Sequence, residues 1–298
     1  MKSSDIIVKW TGSKRSQALQ IIRLFNHNIE TYYEPFCGGC SVLFELLTTK
    51  SIKVNKYVCS DLNNDLISLW QTIKSNPNEL FDYYNKLHTE LVSLNDIDKR
   101  KQFYLNIRDK FNSNHNPYDF FFLNRTSYNG LIRYNSNGDY NVAYHSLRNG
   151  IEPERLHLNL LYFSKLLNDY NVQFICRSYE NVVAEPDDFL YLDPPYANSS
   201  AMYFDSFNSD MFFDWLKHQN CAYLLSYDGY CGDNNSVVNV PNDLYDYHTF
   251  IKSGNSSFRN LKSTEDRYET VFESIYLKNI DGAENKVKMM NRNTKRLF

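Results

Sequence analysis

The strongest indication of the fold comes from the segment Thr31-Tyr-Tyr-Glu-Pro-Phe-Cys-Gly-Gly-Cys-Ser-Val42. It begins with β-prone residues, passes through two adjacent glycines and reaches Ser41, a helix-capping residue type. It therefore predicts a strand, a tight turn and a helix running to Leu47. Residues 56–61 predict a second strand that ends on Asp61. A helix with one apolar face follows, formed by Leu62, Leu66, Leu69, Trp70 and Ile73. This alternation is typical of a parallel sheet with crossover helices.

The pattern continues on both sides of this unit. Towards the N-terminus a helix is predicted, with Ser13 as its cap and one apolar face formed by Ala18, Ile21, Ile22 and Phe25. Towards the C-terminus strands are predicted at 172–176, 189–193, 222–226 and 268–277. The two middle strands are apolar enough to lie in the centre of a sheet. We therefore predict one α/β domain built from residues 1–78 and 171–280.

Residues 79–170 separate the two halves of this domain and have a different pattern. They show helical periodicity without a strong buried strand, and an interruption runs from Tyr128 to Tyr144. Within it, Asn137-Gly138 lies between β-prone flanks, which is the strongest short-range hairpin signal. The sequence predicts a mostly helical insertion with a hairpin at 130–144, and a basic, frayed tail without periodicity at 281–298.

The net charge of −3 over 298 residues at first argues against a polyanionic partner. The charge is unevenly distributed, however. Residues 181–250 contain eleven Asp or Glu and a single Lys, a net of −10, so the rest of the chain carries +7.

No apolar run is long enough for a membrane span, and the first ten residues have no long apolar stretch like that of a secretion signal. We expect a soluble protein of the cytoplasm.

Six cysteines are too few for a disulfide scaffold in a chain of this length. One pair, Cys37 and Cys40, has CxxC spacing, but a structural zinc site needs a second such pair or two histidines. We therefore predict reduced thiols packed near the glycine turn, in a reducing compartment, and no metal site.

Asp193-Pro194-Pro195-Tyr196 directly follows the apolar segment Phe189–Leu192. The loop is therefore predicted at the carboxyl end of a strand, where open α/β sheets bind ligands. Neither proline nitrogen can donate a hydrogen bond, while the carbonyls of Asp193 and Pro194 remain acceptors. An acid beside a rigid carbonyl is suited to holding an amino group.

The chain resembles the Dam-type DNA adenine-N6 methyltransferases over residues 8–278. Its Asp-Pro-Pro-Tyr loop is similar to the catalytic loop of that family. Four further segments match in the family's order: Lys9-Trp-Thr-Gly-Ser-Lys14, Glu34-Pro-Phe-Cys-Gly-Gly-Cys-Ser-Val42, Ser60-Asp-Leu-Asn-Asn-Asp-Leu-Ile67 and Leu123-Asn-Arg-Thr-Ser-Tyr-Asn-Gly-Leu-Ile-Arg-Tyr-Asn135. The resemblance implies a Rossmann-like S-adenosylmethionine-dependent methyltransferase sheet with a helical target-recognition insertion. The implied reaction is site-specific methyl transfer to N6 of an adenine flipped out of double-stranded DNA.

The resemblance also assigns roles to residues. The implied catalytic positions are Asp193, Pro194, Pro195 and Tyr196. Asp193 and the Pro194 carbonyl would hold the adenine amino group, and Tyr196 would stack on the base. The implied cofactor-binding positions are Trp10, Lys14, Glu34, Phe36, Gly38, Asp61 and Asp193. Asp61 is expected to accept from ribose hydroxyls. Lys14 and the backbone amides of the 36–39 turn are expected near the methionine carboxylate.

The implied DNA-binding positions are Lys9, Tyr128, Asn129 and Arg133. These types suit the task, since Arg reads guanine, Asn reads adenine and Tyr can wedge into the gap left by a flipped base. Relatives that recognise GATC usually carry an Arg just after the second hairpin strand. Here Tyr144 is followed by His145 and Ser146, so the target sequence stays open.

Three alternatives to this interpretation remain. The same pocket could serve a cytosine-N4 methyltransferase or an RNA adenine methyltransferase, or the chain could be a DNA-binding relative without turnover. The expected partner is double-stranded DNA, and a cognate restriction endonuclease acting on the same site is an additional candidate. We expect a monomer with no membrane partner.

Overall fold

A computed structural model describes residues 7–195, 207–231, 234–235, 237, 239–255 and 270–295. In chain order its helices are α1 (Ala18–Ile22), α2 (Ser41–Thr48), α3 (Asn64–Ser75), α4 (Pro77–Ser93), α5 (Ile97–Asn114), α6 (Pro117–Thr126), α7 (Pro153–Asp169), α8 (Ser209–Lys217) and α9 (Ala283–Lys295). Its strands are β1 (Asn28–Glu34), β2 (Lys53–Asp61), β3 (Gln173–Cys176), β4 (Phe189–Leu192), β5 (Ala222–Cys231), β6 (Asn234–Asn235), β7 (Tyr247–Asn255) and β8 (Thr270–Lys278).

The strands form one mixed sheet in the order β3-β2-β1-β4-β5-β8-β7, with β6 paired to β5. β3, β2, β1, β4 and β5 are parallel, while β8 runs antiparallel to both β5 and β7. The strand order reverses direction between β1 and β4, which places a crevice at their carboxyl ends. This topology confirms the predicted Rossmann-like α/β fold class.

Both faces of the central strands are buried. On one face Leu190 and Leu192 of β4 pack in a cluster with Phe212 and Leu216 of α8. The alternate residues of β4 point to the opposite face, where Phe189 lies 4.4 Å from the ring of Phe25. Helices on both faces explain why this strand is apolar at every position.

The helical region between β2 and β3 is confirmed as mostly helical, and its hairpin is irregular. The arms meet at two isolated bridges, Ser127 with Tyr144 and Tyr134 with Tyr140. Between them, neighbouring helices bind the hairpin backbone: the Tyr104 hydroxyl donates to the Val142 carbonyl at 2.9 Å. The hairpin is therefore held by helix side chains more than by a continuous strand ladder.

The prediction of a frayed tail was wrong, because residues 283–295 form α9. Ala283 and Met290 are buried, and Val287 is partly buried against the same core. These positions have the i, i+4, i+7 spacing of one helix face, a signal that was overlooked in the sequence. The Lys286 ammonium adds a 2.7 Å hydrogen bond to the Phe25 carbonyl.

Other local predictions also need correction. Ser41 is the first residue of α2, and the cap is Cys40. α1 ends at Ile22 and its cap is Gln17, whereas Ser13 bonds the Ser41 hydroxyl instead. Leu62 is 65% exposed, because it precedes α3 and does not share its apolar face. Strand β7 was not predicted. Among the described residues no helix is both long and apolar enough to cross a membrane.

Candidate active site

A cavity of about 750 Å³ opens at the carboxyl ends of β1, β2 and β4. Residues from each of these strand ends line it, together with the loop before α1. The hairpin contributes to its other side through Ile132, Tyr134 and Gly138. The cavity therefore lies at the sheet's topological switch point and is bounded by the helical region, as expected for a ligand site in this class of fold.

The glycine turn after β1 makes room for an indole. Gly38 has a φ of +43°, and a Cβ at this position would lie 2.5 Å from Nε1 of Trp10. Trp10 lines the cavity beside it. The Gly38 carbonyl accepts a 2.9 Å hydrogen bond from Nε1 of the buried Trp70. This bond ties the turn to α3. Glycine is required here by both backbone conformation and space.

Two backbone amides of this turn already have acceptors within the protein. The Cys37 N–H donates to the Ser60 carbonyl at 3.0 Å, and the Gly38 N–H donates to Oδ2 of Asp61 at 3.2 Å. The amides of this turn were predicted to face a ligand carboxylate. These two instead tie the turn to β2, and the glycines' clearest contribution is space.

Cys40 occupies the position at the end of the turn in a left-handed conformation, with a φ of +52°. This conformation costs a non-glycine residue about 1–2 kcal/mol. The side chain is fully buried, and both Cys40 and Cys37 are free thiols. A glycine would adopt this conformation without that cost.

Asp61 ends β2 at the cavity wall. Its carboxylate accepts hydrogen bonds from the Gly38 N–H and from the Asn63 N–H, the latter at 3.0 Å. Burial raises the pKa of Asp61 to about 6, although these backbone hydrogen bonds oppose the shift. The group is therefore mostly ionised at neutral pH and presents a carboxylate to the cavity.

Asp193, at the end of β4, is paired with Lys14. The Lys14 ammonium lies 2.8 Å from Oδ1 of Asp193, and the lysine side chain is only 4% exposed. Burial raises the pKa of Asp193 to about 6, and the ammonium opposes the shift. Lys14 was predicted to lie near a ligand carboxylate, whereas its ammonium contacts the predicted catalytic acid. Pro194 and Pro195 line the cavity next to Asp193.

Glu34, at the end of β1, also lines the cavity and is buried. The Tyr32 hydroxyl donates to its Oε2 at 2.7 Å. Burial raises the pKa of Glu34 to about 8, so the carboxyl is mostly protonated at neutral pH. Phe36 lines the same cavity and packs against Tyr179, with ring centroids 5.4 Å apart.

Two polar residues at the start of α3 connect the cavity to the hairpin. The Tyr134 hydroxyl donates to Oδ2 of Asp65 at 2.6 Å, and Nδ1 of His115 lies 3.0 Å from the other carboxylate oxygen. The Asn63 side chain caps α3 by accepting from the Leu66 N–H. All of these except Leu66 line the cavity. Both Asn63 and Asp65 lie within a motif quoted above, but their contacts needed the fold to be recognised.

Lys9 packs against the turn that precedes the hairpin. A Cβ on Gly130 would lie 2.2 Å from Cδ of Lys9. The Lys9 backbone exchanges hydrogen bonds with the Asn124 amide, at 2.9 and 2.8 Å. Burial, together with the charges of Arg125 and Arg148, lowers the pKa of Lys9 to about 8. Lys9, Arg125 and Arg148 thus form a cationic cluster at the base of the hairpin. Of these three residues, only Lys9 was predicted to bind DNA.

The other predicted DNA-binding residues lie on the turn before the hairpin and on its first arm. Tyr128 is 48% exposed and stacks on His145, with ring centroids 5.4 Å apart. Asn129 is exposed with a φ of +55°. Arg133 is exposed, and its Nε donates to the Asn141 side chain across the hairpin at 2.8 Å. The structure brings Lys9, Tyr128 and Asn129 to one turn and places Arg133 further along the first arm. Tyr196 lies outside the described residues.

One acidic residue of the site was not singled out in the sequence. Glu273 of β8 has its Oε2 3.7 Å from the Lys14 ammonium. A single acid within an otherwise apolar strand segment is a detectable signal, because burying a carboxylate is costly unless a cation accompanies it. The pairing itself could not be predicted, because Lys14 and Glu273 lie far apart in the sequence.

The sequence matches known proteins over most of its length. The family of D12 class N6 adenine-specific DNA methyltransferases matches residues 10–270. The type II methyltransferase M.MjaIII of Methanocaldococcus jannaschii is 40% identical over 204 residues, which are 63% of this chain and 68% of that protein. The DNA adenine methylase of Escherichia coli K12 is 31% identical over 207 residues, 67% of this chain and 68% of that protein. The chain therefore belongs to the D12 class N6 adenine-specific DNA methyltransferases.

Proposed function

We propose that Asp193 holds the amino group of a flipped adenine while the cavity beside it holds S-adenosylmethionine, the methyl donor of this family. The observation that supports this most strongly is the pair of carboxylates in one cavity: Asp61 at the end of β2 and Asp193 at the end of β4. The Asp61 carboxylate is suited to accepting hydrogen bonds from ribose hydroxyls, and the Asp193 carboxylate to accepting one from an exocyclic amino group. Family membership decides for adenine N6 in DNA over cytosine N4 and RNA.

The residues present fit this cofactor. A cavity of about 750 Å³ is within the size range of sites for ligands of this kind. Asp61 supplies an acceptor for ribose hydroxyls, while Trp10 and Phe36 supply aromatic surface. The Trp10 ring packs directly against Gly38, where a side chain would otherwise lie. The absence of a side chain at Gly38 therefore lets the indole form part of the cavity wall.

The chemistry at Asp193 follows from its environment. When bound, S-adenosylmethionine would supply an electrophilic methyl group, whose bond to sulfur would break as the bond to N6 formed. Asp193 accepts a hydrogen bond from the amino group and the Pro194 carbonyl accepts another, which orients the nitrogen lone pair. Methylation leaves one surplus proton on N6. The Asp193 carboxylate, with its pKa raised to about 6, can accept that proton and pass it to water.

The adenine must leave the duplex to reach this position, because N6 inside a base pair cannot approach the methyl group. We assign Tyr196 to stacking on the flipped base. Tyr128, exposed on the turn before the hairpin, is suited to filling the gap in the duplex.

DNA recognition is assigned to the helical region at residues 79–170, with catalysis in residues 1–78 and 171–280. Lys9 and the neighbouring Arg148 are suited to phosphate contacts. Asn129 and Arg133 are suited to reading bases in the major groove. We propose that the enzyme acts as a cytoplasmic monomer, and that a cognate restriction endonuclease can share its target site.

The test is to identify the modified base and its sequence context together. DNA from cells that express this chain is digested to nucleosides for mass spectrometry and also read by single-molecule sequencing. The expected result is N6-methyladenine in one defined sequence context. N4-methylcytosine, or unmodified DNA from cells containing folded protein, would contradict the proposal.

A further inference from the structure

Glu273 is a buried acid in the site for which the proposed reaction has no role so far. It lies on β8 and is 8% exposed. The Ser253 hydroxyl donates to its Oε1 at 3.2 Å. Its Oε2 is buried without a hydrogen-bond partner and lies 3.7 Å from the Lys14 ammonium. One carboxylate oxygen is thus anchored, while the other points towards the lysine that holds Asp193.

The contact between Lys14 and Asp193 competes with the role proposed for this acid. Oδ1 of Asp193 accepts from the ammonium at 2.8 Å. This close charged contact occupies one of the two carboxylate oxygens and makes the acid a weaker acceptor and a weaker base for the amino group. Lys14 cannot simply move away from Asp193 towards neutral surroundings, because a buried ammonium far from any carboxylate carries a large desolvation cost. The ammonium therefore needs a second anionic position within reach.

Glu273 offers that position. Shortening the distance between the ammonium and Oε2 from 3.7 Å to a hydrogen-bond length of about 2.8 Å requires a movement of roughly 1 Å. Lys14 has a flexible four-carbon stem, and the Gly12 carbonyl also accepts from its ammonium at 3.1 Å. That carbonyl can remain a partner while the ammonium moves from one carboxylate to the other.

We propose that Glu273 is a positioning residue that receives the Lys14 ammonium when the adenine amino group takes Oδ1 of Asp193. The inference rests on the proposed role of Asp193. In the substrate-free state Lys14 is bound closely to Asp193 and loosely to Glu273, and in the reacting state this preference reverses. The ammonium keeps a carboxylate beside it in both states, and Asp193 becomes available as the base enters.

The test is a double-mutant cycle with Glu273→Gln and Lys14→Met. Single-turnover methyl transfer is measured at saturating tritiated S-adenosylmethionine and saturating duplex DNA, so that altered affinities do not enter the rate. Glu273→Gln should slow transfer by about 10- to 100-fold, the loss typical of ångström-scale misplacement at a reacting centre. In the Lys14→Met background the same substitution should change the rate by less than about twofold, because no ammonium remains to be moved.

A merely structural role for Glu273 gives a different pattern. Glu273→Gln would then slow transfer equally in both backgrounds, which would overturn the inference, as would a wild-type rate in the single variant. If Glu273→Gln does not fold, Glu273→Asp retains the charge but withdraws the carboxylate from Lys14. It should lose rate as well, and a folded Glu273→Asp with the wild-type rate would contradict the role.

Two further variants complete the experiment. Glu284→Gln removes an exposed acid on α9 and changes the net charge by the same amount, so its rate should equal that of the wild type. Asp193→Ala separates the two proposals. If Asp193→Ala is inactive while Glu273→Gln is fully active, the role of Glu273 alone fails. If Asp193→Ala remains active, the proposed function itself fails.

Discussion

The Tyr134 hydroxyl donates a 2.6 Å hydrogen bond to Oδ2 of Asp65, which joins the hairpin to the first turn of α3. The same helix follows directly from Asp61, the proposed ribose acceptor, and its cap is Asn63. Nδ2 of Asn63 lies 3.5 Å from the Tyr134 hydroxyl as well. The position of the hairpin is therefore tied to the wall of the cofactor cavity.

Tyr134→Phe should weaken cofactor binding and lower stability. The buried Asp65 carboxylate loses a donor, which typically costs about 1–3 kcal/mol. Calorimetric titration with S-adenosylmethionine and thermal unfolding measure the two effects. Tyr144→Phe is the matched control, since the Tyr144 hydroxyl bonds Asn149 and lies outside the cavity lining. Equal cofactor affinities in the two variants would show that the hairpin contact does not support the cavity.

Gly38→Ala should displace Trp10 and reduce both stability and cofactor affinity. The added Cβ would lie 2.5 Å from the indole, at a φ that already disfavours alanine. Gly282→Ala is the control, because Gly282 has a φ of +62° with nothing near its added Cβ. Chemical denaturation should show a loss of about 1 kcal/mol for the control and a larger loss for Gly38→Ala. A smaller loss for Gly38→Ala than for Gly282→Ala would refute the steric argument.

Cofactor affinity should fall as the pH drops through about 6. Burial raises the pKa of Asp61 to about 6, so acidification protonates the carboxylate that accepts from the ribose. Calorimetric titrations should show that affinity declines between pH 7 and 5, the range in which Asp61 takes up its proton while Glu34 stays protonated. Asp61→Asn should bind weakly at every pH, because an amide cannot accept from both the Gly38 and Asn63 N–H groups while also accepting from a ribose. Wild-type affinity in Asp61→Asn would rule out the ribose role.

Arg133→Ala should relax sequence choice more than it weakens DNA binding overall. Loss of a bidentate base contact typically removes about 1–3 kcal/mol of discrimination at one position, while leaving the salt dependence of binding nearly unchanged. Methylation of a library of randomised duplexes measures the first effect, and anisotropy titrations at several salt concentrations measure the second. Arg23→Ala removes an exposed arginine at the end of α1 as a charge-matched control. Uniform weakening with a reduced salt slope would instead identify Arg133 as a phosphate contact.

Much of the fold could be predicted because its signals are local. The apolar run of β4 and the glycine turn before α2 each determine the conformation of the backbone around them. Both were located correctly from the sequence. β7 was not predicted, because Lys252, Ser253 and Gly254 interrupt its β-prone residues and weaken the local strand signal. Its pairing is a long-range contact, which no local pattern indicates.

The site could be predicted only as far as its motifs extend. The loop carrying Asp193 and the acid Asp61 follow strands directly, so their meeting at one sheet edge follows from the predicted topology. The placement of Lys14 on Asp193, with Glu273 behind it, joins residues from three distant segments. Their arrangement depends on how β8 enters the sheet antiparallel to β5, which the strand pattern does not specify.

The pairing of Asp193 with an adenine amino group is the central claim, and its most direct measurement is single-turnover methyl transfer by Asp193→Ala. The variant should bind S-adenosylmethionine and duplex DNA within about threefold of the wild type, while its rate falls by at least about 100-fold. In the wild type the rate should also fall as the pH drops below about 6, because the protonated acid loses acceptor capacity for the amino group. A folded Asp193→Ala enzyme that methylates adenine at a rate near that of the wild type would show that Asp193 does not hold the amino group.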